Sequence, residues 1–181
     1  KEEDLSISKD IADCLMTGLI TDTGRFQYSN TNSEVFSIAS DLMSKGASLS
    51  QISENIYGSV ELNALKLQSK VIDRLELDSE LKFIYSVVYE DDYKKFKTTP
   101  SETDFLIDTV RLAKESEIAL LLKEQSDSSF KGSLRSRTSL DVQKLASSFN
   151  GGGHKAASGF STTLKLDEII NKIKHEIRKQ I

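Results

Sequence analysis

The chain has 181 residues, 38% apolar and 29% charged, with a formal net charge of -4; this is an ordinary globular composition with room for one or two cored domains. An acidic body does not coat nucleic acid indiscriminately, so any nucleotide site has to be a local basic patch. A single cysteine, Cys14, excludes an internal disulfide and a cysteine-rich zinc site; with neither a signal-peptide pattern nor an apolar run of membrane-spanning length, the expectation is a cytosolic protein with no membrane partner.

Lys1 to Asp10 is charged and starts without methionine, which fits a piece of a longer chain. From Ile11, the residues Ile11, Leu15, Leu19 and Ile20, with Ala12 and Cys14 beside them, predict a helix buried on much of its circumference, Cys14 serving as a small buried hydrophobe. Thr21-Asp22-Thr23-Gly24 ends it as a turn that presents one carboxylate, so Asp22 is either a turn residue or a ligand. Arg25 is open between a phosphate contact and an ion pair. Val35, Phe36, Ile38, Ala39, Leu42 and Met43 predict a helix from Asn32 or Ser33 to Gly46. Ser48 caps a short helix through Tyr57, which Gly58 closes. Val60 to Leu77, free of Pro and Gly, predicts a connecting helix with a candidate hinge at each end.

Leu81 to Tyr89 is rich in Phe, Ile, Tyr and Val and predicts a strand that Asp91-Asp92-Tyr93 breaks. After a loop at Pro100, Phe105 to Ala113 predicts a helix. Glu117 to Glu124 predicts a strand buried on both faces, and a turn at Gln125 to Ser129 makes a hairpin with the segment that follows. In Lys131 to Arg137, period two puts Lys131, Ser133, Arg135 and Arg137 on one face. Three cations and a hydroxyl in a row are either a phosphate-reading surface or the solvated side of an edge strand. Leu140, Val142, Leu145, Ala146 and Phe149 predict a helix capped by Ser139.

Asn150 to Gly159 then places Gly151, Gly152 and Gly153 where main-chain N–H groups are open to an anion, followed by His154, a titratable donor, and Lys155. The same run also suits a plain turn. Phe160 to Leu164 predicts a strand and Asp167 to Arg178 an amphipathic helix, with His175 on its polar side and without a role. No dehydrogenase or Walker glycine fingerprint and no nucleophile elbow is present.

In order and spacing, SLRSR, the DVQKLA helix and FNGGGHKAASG resemble the DHHA1 substrate-binding domain of the DHH phosphoesterases, in the branch of small nanoRNases and 3'-phosphoadenosine 5'-phosphate phosphatases. TGLITDTGRFQYSNT, Thr17 to Thr31, resembles the last metal-binding motif of the DHH catalytic domain. The resemblance implies an α/β chain in three parts: residues 1–58 as the helical C-terminal end of a DHH catalytic domain, 59–78 as a connecting helix, and 79–181 as a DHHA1 domain with a mixed β-sheet flanked by helices.

It implies Asp22 as a catalytic ligand of Mn2+, or Mg2+, which suit oxygen donors. It also implies Arg135, Ser136, Arg137, Gly151, Gly152, Gly153 and His154 as the grip on the substrate. That substrate is a short single-stranded RNA or DNA, a linear dinucleotide or 3'-phosphoadenosine 5'-phosphate, and a homodimer is compatible with the family. The family's Asp-His-His triplet is not matched, because the only histidines are His154 and His175. The expectation is therefore the C-terminal portion of a longer metal-dependent phosphoesterase, with most metal ligands outside these residues; the alternative is a nucleotide-binding module without hydrolysis.

Overall fold

A computed structural model describes residues 7–28, 30–137 and 139–181. Its contacts divide the chain into two compact units, one ending at Val60 and the other spanning Glu61–Ile181.

The first unit is helical: α1 (Lys9–Asp22), α2 (Ser33–Ser44) and α3 (Leu49–Tyr57). Each begins on a hydroxyl or amide side chain that accepts an otherwise unpaired N–H of the first turn, Ser8 from Ile11, Asn32 from Val35 and Ser48 from Gln51. Ala12, Met16 and Ile20 recur every four residues on α1 and form its buried stripe, closed over by Ala39 and Leu42 of α2 and by Ala47 and Ile52. Asp13 ties the start of α3 to α1 by accepting the Ser48 N–H at 3.0 Å. The broad burial expected of α1 is corrected here. Ile11 and Leu15 are about half exposed, at 49% and 50%, and Cys14 is exposed, because they project off the one stripe that α2 and α3 cover.

The second unit is a six-stranded mixed sheet in the order β1-β2-β3-β4-β6-β5 with helices against it. Helix α4 (Leu62–Asp73) leads into β1 (Glu76–Asp78) and β2 (Phe83–Val88). The helix stops short of the predicted Leu77, since Glu76 to Asp78 pair antiparallel with Phe83 to Tyr85. Asp91 and Asp92 do end the strand, but they do so by opening α5 (Glu90–Phe96), where acidic residues favour the positive end of the helix dipole. The predicted helix at Phe105 shortens to α6 (Leu106–Val110), after a 3-10 turn at Ser101–Thr103.

The crossover through α5 and α6 carries the chain to β3 (Ile118–Glu124) parallel to β2, the geometry a long connection permits and a hairpin does not. β4 (Phe130–Ser136) returns antiparallel as the expected hairpin. Then come α7 (Val142–Ser147), β5 (Gly152–His154), β6 (Ala157–Thr162) and α8 (Leu166–Arg178). Asp141, rather than Ser139, caps α7 by accepting the Gln143 N–H.

One face of the sheet, with Phe83, Ile118, Leu120, Leu122, Leu134 and Phe160, is sealed by α7 and α8, whose Val142, Leu145, Ile169, Ile173 and Ile177 are buried against it. Each such side chain removed from water stabilises the unit by about 1.5–3 kcal/mol before ordering costs. The other face is covered only over β2 and β3. There Leu67 and Val71 of α4, Tyr93 of α5 and Leu106, Ile107 and Val110 of α6 pack on Ile84, Val88, Ala119 and Leu121. β3 is thus buried on both sides, as its nearly continuous apolar run predicts. Among the described residues no helix is long and apolar enough to cross a membrane.

Candidate functional site

Among the described residues of this unit, no helix covers the half of that second face made by β4, β6 and β5, and strand register decides what it presents. Directly paired residues point to the same side of a sheet. Arg135 pairs with Ala119 and Ala157, and Ala157 pairs with His154, so Arg135, Ala157 and His154 form one row across three strands. Arg135 and His154 lie two strand spacings apart, about 10 Å. The next row is Ser133, Gly159 and Gly152, and the row beyond it Lys131 and Ser161. The middle of this surface therefore consists of two adjacent glycines, flanked by a guanidinium and an imidazole, and none of the residues in the three rows is acidic. Period two along β4 is visible in its burial, with Phe130, Gly132 and Leu134 buried and Lys131, Ser133 and Arg135 outward.

The glycine run is a strand, not a free loop. Gly151 follows α7, and its N–H is used by Ala146 O at 2.9 Å. A side chain at Gly151 would meet Gly159 O at 2.3 Å, whereas a Cβ on Gly152 would meet nothing within 4 Å. Gly153 has φ +140° and a Cβ there would lie 2.7 Å from Ala157 O. Gly151 and Gly153 are thus demanded by packing and backbone conformation, and Gly152 lies open in the floor of the face. β5 is the outer strand of the sheet. In an antiparallel pair, successive residues turn their N–H and C=O alternately toward the partner and away, so part of the Gly152–His154 main chain faces outward without a strand partner. The Lys155-Ala156 turn behind it is fixed by the Ser136 N–H to Ala156 O at 2.9 Å and the Val142 N–H to Lys155 O at 3.0 Å. Ser158 Oγ donates to His154 O at 2.7 Å.

Arg135 has its Nη1 on Leu134 O at 3.0 Å and no carboxylate partner among the described residues. The fork is left available for an anion. Ser136 pairs with Ile118 and so points to the opposite side of the sheet. Arg137 donates to Ala113 O at 3.2 Å and to Arg111 O, capping the end of α6. The structure therefore brings Arg135, Gly152 and His154 together, and leaves Ser136, Arg137, Gly151 and Gly153 in supporting positions. Gly159 and Ala157 complete the floor; sequence inspection passes over them, since only the β4–β6–β5 register shows which face they share. A groove of about 490 Å³, lined by Phe149, Asn150, Thr162 and Lys172 among others, shares only Ser161 with this face.

In the first unit, Asp22 is the last residue of α1 and is exposed. The turn after it places Gly24, Arg25 and Phe26 in succession at φ +55°, +61° and +62°. Left-handed backbone costs a non-glycine residue about 1–2 kcal/mol, and a set of local contacts offsets it. Thr23 Oγ1 donates to Leu19 O at 2.6 Å and accepts the Phe26 N–H at 3.2 Å. The Arg25 N–H reaches Ile20 O at 2.8 Å, and Asn30 Nδ2 holds Asp22 O at 3.1 Å. Phe26 stacks on Phe36 at 5.3 Å, and the Arg25 guanidinium lies 4.6 Å from the centre of the Tyr57 ring, a cation–π contact. The Asp22 carboxylate has no partner among the described residues. No group of three or more His, Cys, Asp and Glu that could hold a metal ion converges among the described residues either.

Residues 80–179 match the family model of the DHHA1 domain. The chain is 31% identical over 161 residues to the bifunctional oligoribonuclease and PAP phosphatase NrnA of Bacillus subtilis, covering 89% of this chain and 50% of that protein. It is 30% identical over 160 residues to the probable bifunctional oligoribonuclease and PAP phosphatase NrnA of Streptococcus mutans, covering 87% and 50%. Among solved structures, an exopolyphosphatase-related protein from Bacteroides fragilis superposes with a TM-score of 0.87 at 28% identity, over 96% of this chain and 51% of that one. The chain spans about half the length of the curated relatives it matches.

Proposed function

Because the chain belongs to the DHHA1 domain family, we propose that it is the substrate-binding portion of a metal-dependent phosphoesterase. Its substrates are short oligonucleotides, linear dinucleotides or 3'-phosphoadenosine 5'-phosphate. The observation that carries the reading is the uncovered half-face of the sheet, where Arg135 and His154 flank the Gly159–Gly152 floor in a surface with no carboxylate. The planar fork of Arg135 takes two phosphate oxygens, and His154 supplies a second donor from β5. The bare floor lets a sugar or base lie against the main chain without meeting a side chain. Asp22 acts as a single carboxylate ligand of Mn2+, or Mg2+, whose remaining ligands come from outside these residues. The relatives named as oligoribonucleases and PAP phosphatases support the substrate class.

A second reading, a nucleotide-binding module without hydrolysis, is favoured by one observation, the lack of a ligand cluster among the described residues. Titration of adenosine monophosphate into the 181-residue chain by NMR tests what the two readings share. Shifts should centre on Arg135, Gly152, His154 and Gly159, and Arg135→Ala should weaken binding about tenfold, the effect of losing a charge-assisted pair. Shifts clustering elsewhere would sink both readings. Turnover of the same substrates by a protein of the relatives' full length, with manganese, separates them.

A further inference from the structure

The open face continues beyond the site just described. Lys131 stands four residues from Arg135 on the same side of β4, a separation of about 13 Å along the strand. Its row holds Lys123 on β3 and Ser161 on β6. The two lysines are treated differently. The Lys123 side chain is 4% exposed and bonds Asp104 Oδ1 at 2.7 Å and Pro100 O at 3.2 Å. Burial first, and the like charge of Lys131 in addition, bring its ammonium below the ordinary lysine range, against the opposing pull of Asp104. Lys131 is exposed and has no carboxylate partner among the described residues, while Ser161 beside it is exposed as well. Between Lys131 and Arg135 lies Ser133, also on this side. A mononucleotide held at Arg135 cannot span that separation, but a chain carrying further phosphates can.

We propose that Lys131, with the Ser161 hydroxyl beside it, is a distal backbone-phosphate contact that makes this face select single-stranded oligonucleotides of several residues over mononucleotides. The inference rests on the reading of Arg135 and His154 as the proximal phosphate grip. A phosphate at Lys131 neutralises the one ammonium of the pair that the protein leaves unpaired, and it carries no base information, so the contact measures length and not sequence.

The test is the affinity of the 181-residue chain for adenosine monophosphate and for 5'-phosphorylated oligoadenylates of two, three and four residues, at two salt concentrations. Wild type should bind more tightly as length increases. Lys131→Ala should leave the monophosphate affinity in place and weaken the three- and four-residue ligands about five- to tenfold. For those ligands the slope of log affinity against log salt should fall by about 0.7, the value of one phosphate contact on a single strand. Lys144→Ala, on α7 behind the sheet, should change none of these values. Equal weakening at every length, or none, overturns the proposal. If the monophosphate binds through Arg135 but affinity does not rise with length, only this inference falls; if no ligand binds at any length, the reading of the site falls with it.

Discussion

Just beyond Asp22 at the end of α1 three consecutive residues adopt left-handed backbone, whereas Arg135, Ala157 and His154 reach their common row by ordinary strand pairing. The turn is held by contacts that each serve only it: the Thr23 hydroxyl, the Asn30 amide and the Phe26–Phe36 stack. The sheet face is held by a register that the whole second unit maintains, with α7 and α8 sealing the reverse side. Strain concentrated in one turn is what a site looks like when a single group has to be aimed, and it motivates a functional reading of Asp22. A platform made by regular pairing suits an extended ligand that touches several strands.

The comparison breaks most visibly at Asp22. In a protein of the relatives' full length, Asp22→Asn should keep the Asn30 bond to Asp22 O, which uses the main chain, and should leave the melting temperature near wild type. Turnover should drop at least about a hundredfold, since even outer-shell partners of a metal are worth 10–100-fold. Kinetics measured beside thermal melting decides the matter: lost stability with retained specific activity would make Asp22 a structural turn residue.

The two regions were also unequally legible from the sequence. Period two in Lys131 to Arg137 gave the outward side of β4 correctly, because alternation is a property of any strand with one buried face. Arg137 lies one residue beyond the strand, where its N–H still bonds Glu117 O at 3.0 Å and its guanidinium reaches the carbonyls of Arg111 and Ala113; alternation alone could not show those partners, nor that Gly152 and Gly159 meet, which is a matter of register between β5 and β6. The glycine run looked like a loop because glycine is depleted in strands; tertiary pairing overrode that preference. For α1, the count of apolar residues overstated burial, since a helix can carry more apolar residues than its neighbours cover. The turn at Gly24 was legible, but its continuation through Arg25 and Phe26 was not, because these are not residue types that announce positive φ.

Adjacent glycines sharpen the contrast between a position set by backbone and one set by ligand access. Gly153→Ala forces a Cβ into backbone at 2.7 Å with φ +140°. Backbone of this kind costs an alanine about 1–3 kcal/mol and overpacking adds about as much, so the second unit should lose about 2–6 kcal/mol in denaturant unfolding. Gly152→Ala meets nothing within 4 Å and should unfold like wild type, yet weaken adenosine monophosphate by placing a methyl group on the floor. In the first unit Gly24→Ala should cost less than Gly153→Ala, about 1–2 kcal/mol, because the group its Cβ meets is the ring of Tyr28, which is 42% exposed and can swing away. A Gly152→Ala protein that binds normally would remove the floor from the site.

The smallest effect concerns the covered half of the same sheet face, where a carboxylate does take part. Asp92 is buried and receives the Arg74 fork through both oxygens, one at 3.0 Å, while Arg74 also donates to Val87 O at 3.3 Å and the Tyr89 N–H reaches Asp92 at 2.9 Å. Burial would raise the Asp92 pKa, but the Arg74 fork and the Tyr89 N–H outweigh it and hold the carboxyl below its usual 3.8. A folded-state pKa below the unfolded value means that the unfolded chain binds the extra proton. The pair's contribution is therefore complete above pH 3.8 and is lost as pH falls through the lower folded value. Asp92→Asn should cost about 1–2 kcal/mol at pH 7, less than the 3–5 of a fully buried pair because the Arg74 side chain is 31% exposed. Thermal melting at pH 7 and pH 3 should show the gap between wild type and variant narrowing at the lower pH. Asp78, whose carboxyl is lowered first by Lys174, titrates in both proteins and cancels from the difference. A gap that stays constant with pH would mean that the helix cap at Tyr89, and not the charge of Asp92, is what the second unit depends on at this position.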